Sequence, residues 1–275
     1  MRPAWRRLGF GLATVLGLGR RGFFIPYRYA AGAIPRDYPA LRPFFEEAEP
    51  RLVELLAAID GHGEALRRIA AGGGPARFDQ DWFPRLDAAA AYALVRRERP
   101  RRVVEIGSGH STRFLARAVA DGGLGTGITC IDPAPRASLA GLGVAHVPAL
   151  LRDAPAEPVE ELAPGDILFV DSSHVAMPGT DVDRLFLDVL PRLPAGVLVH
   201  VHDVTLPDAY PAEWAWRGYN EQLLVGALLQ GGAYAIEFAS HYAVRAFAFM
   251  LARGVLGELP LAPGARETSL WLRKR

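Results

Sequence analysis

From residue 102 onward, short apolar runs alternate with longer stretches in which apolar side chains recur every three or four positions. Runs at 102–106, 127–131, 144–147, 166–170 and 196–201 read as inner strands, and 235–240 and 269–272 as two later ones. Strands separated by helical pattern predict an α/β fold, a mostly parallel sheet with helices on both faces. Upstream, the spacing predicts helix from Tyr38 to Ala71, with Phe44, Leu52, Leu55, Leu56 and Ile59 on its buried face and Gly72-Gly73-Gly74-Pro75 as a breaker. Trp82-Phe83-Pro84 then introduces a helix over 87–98 whose Ala90, Leu94 and Val95 pack under the first strand. The pattern therefore divides the chain into an N-terminal helical extension, 1–75, and an α/β domain, 76–275.

The first segment needs separate treatment. An apolar run from Leu8 to Leu18 lies between Arg6-Arg7 and Arg20-Arg21, a profile that superficially copies a signal peptide. The run is short of the ~20 residues that span a bilayer, and no small-residue cleavage site follows it. A helix that packs or pairs two copies into a homo-oligomer is the first expectation. Peripheral contact with a membrane surface comes second and export a distant third.

The most informative stretch is Val103-Val104-Glu105-Ile106-Gly107-Ser108-Gly109-His110-Ser111-Thr112. Val103, Val104 and Ile106 form a strand, Gly107 and Gly109 let the backbone turn close to a ligand, and Ser111 or Thr112 can cap the following helix. That helix carries Phe114, Leu115, Ala118 and Val119 on one face and Arg113, Arg117 and Asp121 on the other. A dinucleotide fingerprint wants a third glycine where Thr112 stands and no acid two residues before the first. Glu105 occupies that place; its carboxylate repels a pyrophosphate and suits an ammonium.

These residues resemble the first motif of the class I S-adenosylmethionine-dependent methyltransferases. Ile128-Thr129-Cys130-Ile131-Asp132 is similar to that family's second strand with its ribose-binding acid, and Asp166-Ile167-Leu168-Phe169-Val170-Asp171 to its fourth. Asp171-Ser172-Ser173-His174 and His200-Val201-His202-Asp203 look most like bacterial small-molecule methyltransferases grouped with the cephalosporin hydroxylase and macrolide sugar O-methyltransferases. The resemblance covers about residues 80–275. It implies a Rossmann-like seven-stranded sheet with the last strand inserted antiparallel beside the sixth. It also implies S-adenosylmethionine as cofactor, held by Glu105, Gly107, Ser108, Gly109, His110, Ser111, Asp132 and Asp171, and a small-molecule acceptor.

Composition narrows the field further. The 275 residues, 50% hydrophobic, suffice for one large domain with an appendage. A net charge of +1 from 31 basic and 30 acidic residues gives no sign of a nucleic-acid partner. The one cysteine, Cys130, excludes an internal disulfide and fits a cytoplasmic location. Lysine occurs once, at Lys274, which removes lysine Schiff-base chemistry and phosphate-loop chemistry together.

In open α/β sheets ligands gather at the carboxyl ends of the strands, where Asp132, Asp171 and Asp203 all stand. Asp132, before Pro133, reads as the ribose acceptor or as a turn acid. Asp171 and Asp203 end neighbouring strands, so their mutual repulsion needs relief. A divalent cation, Mg²⁺ or Mn²⁺, bound by Asp171, Asp203 and His202 would supply it, as would protonation or an arginine partner. His174 and His202, with Asp171, are the expected catalytic groups, an imidazole serving as general base. His200 reads as a core residue. Tyr210, Trp214, Trp216, Tyr219 and Asn220 either shape an acceptor pocket or belong to the core. The resulting expectation is methyl transfer to an oxygen or nitrogen of a small molecule, against a nicotinamide-dependent oxidoreductase and a catalytically silent binding module.

Overall fold

The computed structural model describes residues 3–275, with side chains from Trp5 onward. The chain divides into two compact units, residues 1–36 and 37–275. The first holds helix α1 (Pro3–Val15) and a mostly irregular tail with one 3₁₀ turn at Ala30–Gly32. The second contains everything else. Residues 37–75, expected to belong to an N-terminal extension, thus fall within the same unit as the sheet. Helix α2 (Arg42–Gly61) packs against the sixth strand and against helix α4 (Arg85–Glu98), and α3 (Gly63–Ala70) follows α2 after a one-residue break.

Seven strands form one sheet: β1 (Arg102–Ile106), β2 (Gly127–Ile131), β3 (Ala145–Val147), β4 (Ile167–Val170), β5 (Leu198–Val201), β6 (Tyr234–Ala239) and β7 (Leu270–Lys274). Their order is β3-β2-β1-β4-β5-β7-β6, parallel through β5, with β7 antiparallel to both its neighbours. The chain starts in the middle of the sheet, winds outward through β2 and β3, and returns to lay β4 on the other side of β1. The carboxyl ends of β1 and β4 therefore diverge into a crevice, where such sheets bind ligands.

Strand patterning explains the sheet. All four residues of β4 and of β5 are buried, as expected of strands covered by helices on both faces. The buried face of α2 is Phe45, Ala48, Leu52, Leu55, Leu56 and Ile59. Phe45, rather than the expected Phe44, joins this face because it lies two full turns before Leu52, whereas Phe44 is only half-buried. Helix α5 (His110–Asp121) buries Phe114, Leu115 and Ala118 as the pattern predicts.

Asp166 holds the amino end of the central strands together. Only 2% exposed, it accepts hydrogen bonds from the backbone N–H groups of Arg101, Arg102 and Ala163 at 2.8–3.0 Å. Asp166→Ala removes the acceptor of three backbone N–H groups, and chemical denaturation should show a loss of about 1–3 kcal/mol. A loss under about 0.5 kcal/mol would show that water replaces the carboxylate at no cost.

Candidate active site

The glycine loop between β1 and α5 is tied down from below. Glu105, fully buried, accepts hydrogen bonds from Ser111 Oγ and Thr112 Oγ1, both at 2.5 Å, and from Cys130 Sγ at 3.3 Å. Thr112 Oγ1 in turn accepts from the Gly109 N–H at 2.9 Å. Glu105 was expected to meet a cofactor ammonium. Its carboxylate instead lies beneath the loop and fixes the first turn of α5, because the hydroxyls of its own chain occupy the oxygens. Burial pushes the Glu105 carboxyl up to about 7 against the opposing hydroxyl and thiol bonds.

The two glycines are required by the chain itself. A Cβ on Gly107, at φ +82°, would sit 1.8 Å from the Asp171 carbonyl oxygen. One on Gly109 would approach Arg136 Cβ to 3.2 Å. Asp132, at the tip of β2, accepts from Ser108 N at 2.6 Å, from Ser108 Oγ at 3.0 Å and from Ala134 N at 2.7 Å, so it joins the loop to its own turn. His146 Nε2 donates to the Asp132 carbonyl at 2.8 Å and steadies the same corner. His110 Nδ1 is buried without a hydrogen-bond partner, and burial together with Arg113 lowers its pKa and keeps the ring neutral.

Across the crevice, the ends of β4 and β5 bring two carboxylates and two imidazoles together. His174 Nε2 lies 3.2 Å from Asp171 Oδ1 and 3.6 Å from Asp203 Oδ2; His202 Nδ1 lies 3.5 Å from Asp171 Oδ1 and 3.8 Å from Asp203 Oδ1. The outer nitrogen of each ring is held by a further buried carboxylate. His174 Nδ1 donates to Glu221 at 2.9 Å, and His202 Nε2 to Asp87 at 3.3 Å. Asp87 is itself fixed by the N–H groups of Thr268 and Ser269. His174 and Asp203 both adopt left-handed backbone, φ +57° and +54°. Residues without a glycine's freedom hold such conformations at a cost that surrounding structure must supply, and they cluster at functional sites.

Charge explains the cluster's chemistry. Burial alone would discharge His174, but its bonds to Asp171 and Glu221 and the charges of Glu221 and Asp203 overcome that and raise it to about 10. His202 is likewise driven well above its ordinary value, against burial, chiefly by the Asp171 charge. Asp171, against burial, is held well below the carboxylate range by the charge of His202 and the bond from His174. Asp203 also receives Arg217 Nη1 at 3.3 Å. The repulsion between Asp171 and Asp203 is thus relieved by imidazoles and an arginine.

The residues expected to bind a cation are paired with other side chains. Among the described residues no group of three or more His, Cys, Asp and Glu side chains is placed to hold a metal ion. Asp171, Asp203 and His202 are spent on one another, on His174, on Arg217 and on Asp87. Of the other expected residues, His200 is fully buried, stacked 3.7 Å from the Phe169 ring, with Nε2 on Ser269 Oγ. Trp214, Trp216 and Tyr219 line a cavity of about 250 Å³ together with Trp82, Arg136 and the paired acids. Tyr210 packs behind Trp214 and Tyr219. Asn220 Oδ1 accepts from Ala176 N at 2.6 Å and ties the loop after β4 to the helix Glu221–Gln230.

Asp87 and Glu221 escaped the sequence reading. Each had a faint signal, an acid opening an otherwise apolar helix, Asp87 before four alanines and Glu221 before Leu223-Leu224-Val225.

Residues 104–204 match the model of a family described as a methyltransferase domain. This central stretch of the chain is thus similar to a methyltransferase domain. The sheet order, with its antiparallel β7 between β5 and β6, is the one that resemblance implied, and the matched residues run from β1 to the end of β5. Among solved structures the chain is similar to the SAH-bound methyltransferase PaMTH1 of Podospora anserina, at 18% identity over 92% of this chain and 99% of that one, TM-score 0.43. It is similar to CmcI in an apo structure, at 16% identity over 68% and 70%, TM-score 0.42. It is also similar to an O-methyltransferase from Bacillus cereus in complex with SAH, at 17% identity over 66% and 82%, TM-score 0.38. A search of curated proteins finds no match.

The Glu105 shift gives the fold a signed pH dependence. Its pKa is about 7 folded and near the ordinary value of 4.5 unfolded, so the unfolded state releases the proton first and stability falls as pH rises from about 4.5 to 7. Glu105→Gln lacks that titration. Urea melts should show it gaining on the wild type by on the order of 2 kcal/mol between pH 4.5 and 8; a gap that stays constant across that range would contradict a buried, titrating Glu105.

Proposed function

We propose that the domain transfers the methyl group of S-adenosylmethionine to an oxygen or nitrogen of a small molecule, with His174 taking the acceptor's proton. The observation that carries this reading is the placement of His174: its Nε2 faces the cavity beside Asp171 at the switch between β1 and β4, and its Nδ1 is fixed by Glu221. A base whose far nitrogen is clamped by a carboxylate presents one tautomer in one direction. The cofactor extends over the ends of β1 and β2, along Gly107, Ser108, Gly109, His110 and Ser111, with Asp132 accepting from its ribose and Asp171 near its methionine end. Trp82, Trp214, Trp216 and Tyr219 enclose the acceptor, which needs only to be aligned within about 3–3.5 Å of the methyl.

The sulfonium of the cofactor brings a positive charge beside a cluster that already holds two imidazoliums. Its arrival disfavours the His174 proton and moves the ring toward the neutral form that acts as base. His174 with a raised pKa is protonated below about 10 in the free enzyme, so turnover rises with pH. In single-turnover assays with saturating cofactor, the rate should climb from pH 7 to 9 and then level off, and His174→Ala should lower it about 10²–10⁴-fold and flatten the climb. A wild-type profile flat over that range would remove His174 as base.

From the internal pairing of Asp171, Asp203 and His202 we infer that methyl transfer needs no added metal. Activity should persist after exhaustive chelation, with elemental analysis confirming a metal-free protein; abolition by chelation and recovery with Mg²⁺ or Mn²⁺ would restore the cation to the site.

A further inference from the structure

Charge is distributed unevenly along the chain. Residues 1–36 contain seven arginines and no acidic residue, leaving 24 basic against 30 acidic residues for 37–275. A near-neutral protein is therefore a segment of +7 joined to a domain of −6. Within the segment, Trp5, Leu8, Leu12 and Val15 recur at the spacing of one helical face of α1, and they are 65%, 51%, 52% and 60% exposed. Arg6, Arg7, Phe10 and Thr14 lie on the other side of the helix, with the Arg6 guanidinium 5.3 Å from the Phe10 ring. The chain after α1 folds back on it: Thr14 Oγ1 donates to the Phe10 carbonyl and accepts from the Arg21 N–H at 3.0 Å. A second exposed apolar cluster, Phe23, Phe24 and Ile25, then stands between Arg20-Arg21 and Arg28.

We propose that residues 3–28 form a surface that docks the enzyme on anionic lipid bilayers. The apolar stripe enters the boundary between headgroups and acyl chains while the arginines meet lipid phosphates, and α1 lies in the plane of the surface. No helix among the described residues is long and apolar enough to cross a membrane. At about 1.5 Å per residue the 13 residues of α1 reach roughly 20 Å, well under the ~30 Å hydrocarbon core. Pairing of two such segments fits this surface less well, because each carries seven arginines and no acid.

Sedimentation of the full-length protein with phosphatidylcholine vesicles, with and without phosphatidylglycerol, tests the proposal. The protein should pellet with the anionic vesicles and remain in solution with the neutral ones, and raising salt from about 0.1 to 0.5 M should release it. Arg20→Gln with Arg21→Gln should weaken binding on the order of tenfold, and Leu8→Asp with Leu12→Asp by about a hundredfold or more. Unchanged melting of the methyltransferase domain in these variants shows that loss of binding reports on the segment. Equal recovery on neutral vesicles, recovery on neither, or unaltered binding by the leucine variant overturns the proposal. So does a wild-type dimer that the leucine variant dissociates in sedimentation velocity while neither form pellets with vesicles, which would assign the stripe to a second copy. The readout needs no methyl transfer, so failure here leaves the catalytic reading untouched.

Discussion

Everything at the catalytic end of this molecule depends on how closely two backbone segments approach where the sheet reverses direction. β1 and β4 are neighbours, and the chain leaving β1 passes directly over the carbonyl of Asp171. Only a residue without a side chain fits there, and Gly107 supplies it with a positive φ. Once that crossing is made, the loop must rise, α5 must start at His110, and the crevice between the diverging strand ends opens at the place where the paired acids stand. Glu105 secures the arrangement from below by taking the hydroxyls of the first helical turn. It thereby trades solvent contact for a fixed loop.

On the other side of the crevice the controlling quantity is charge. Asp171, Asp203, Glu221 and Asp87 meet two imidazoles and one guanidinium in a volume largely closed to water. Carboxylates at such a density require cations close by. The imidazoles supply that charge as protons, and protons, unlike a fixed guanidinium, can leave. The same residues serve as structural counter-ions and, in the function proposed here, as acid–base groups when a positively charged ligand enters. The left-handed backbone at His174 and Asp203 keeps both side chains turned inward at a conformational expense borne by the surrounding sheet.

Much of this was legible in the sequence for a simple reason. Inner strands of a parallel sheet are continuous apolar runs, and the residue that follows such a run stands at the ligand-binding edge. Asp132, Asp171, His174, His202 and Asp203 are placed there by the strand pattern alone. What the sequence withheld was direction and tertiary reach. An acid at position 105 reads the same whether it faces a ligand or the underside of its own loop; only the hydroxyls of Ser111 and Thr112, brought back by the first turn of α5, decide it. Asp87 and Glu221 act across distances of 115 and 47 residues. Nothing local marks a helix-opening acid as the partner of a distant imidazole.

The lone cysteine illustrates what this architecture protects. S-adenosylmethionine is an alkylating agent, and a thiolate is the side chain most readily alkylated. Cys130 lies in β2 within reach of the glycine loop, fully buried, its thiol donating to Glu105. Burial and the neighbouring Glu105 carboxylate push the thiol's pKa up, so it stays protonated and poorly nucleophilic. If the protein binds S-adenosylmethionine as proposed, the buried acid that anchors the loop also keeps the thiol from being methylated.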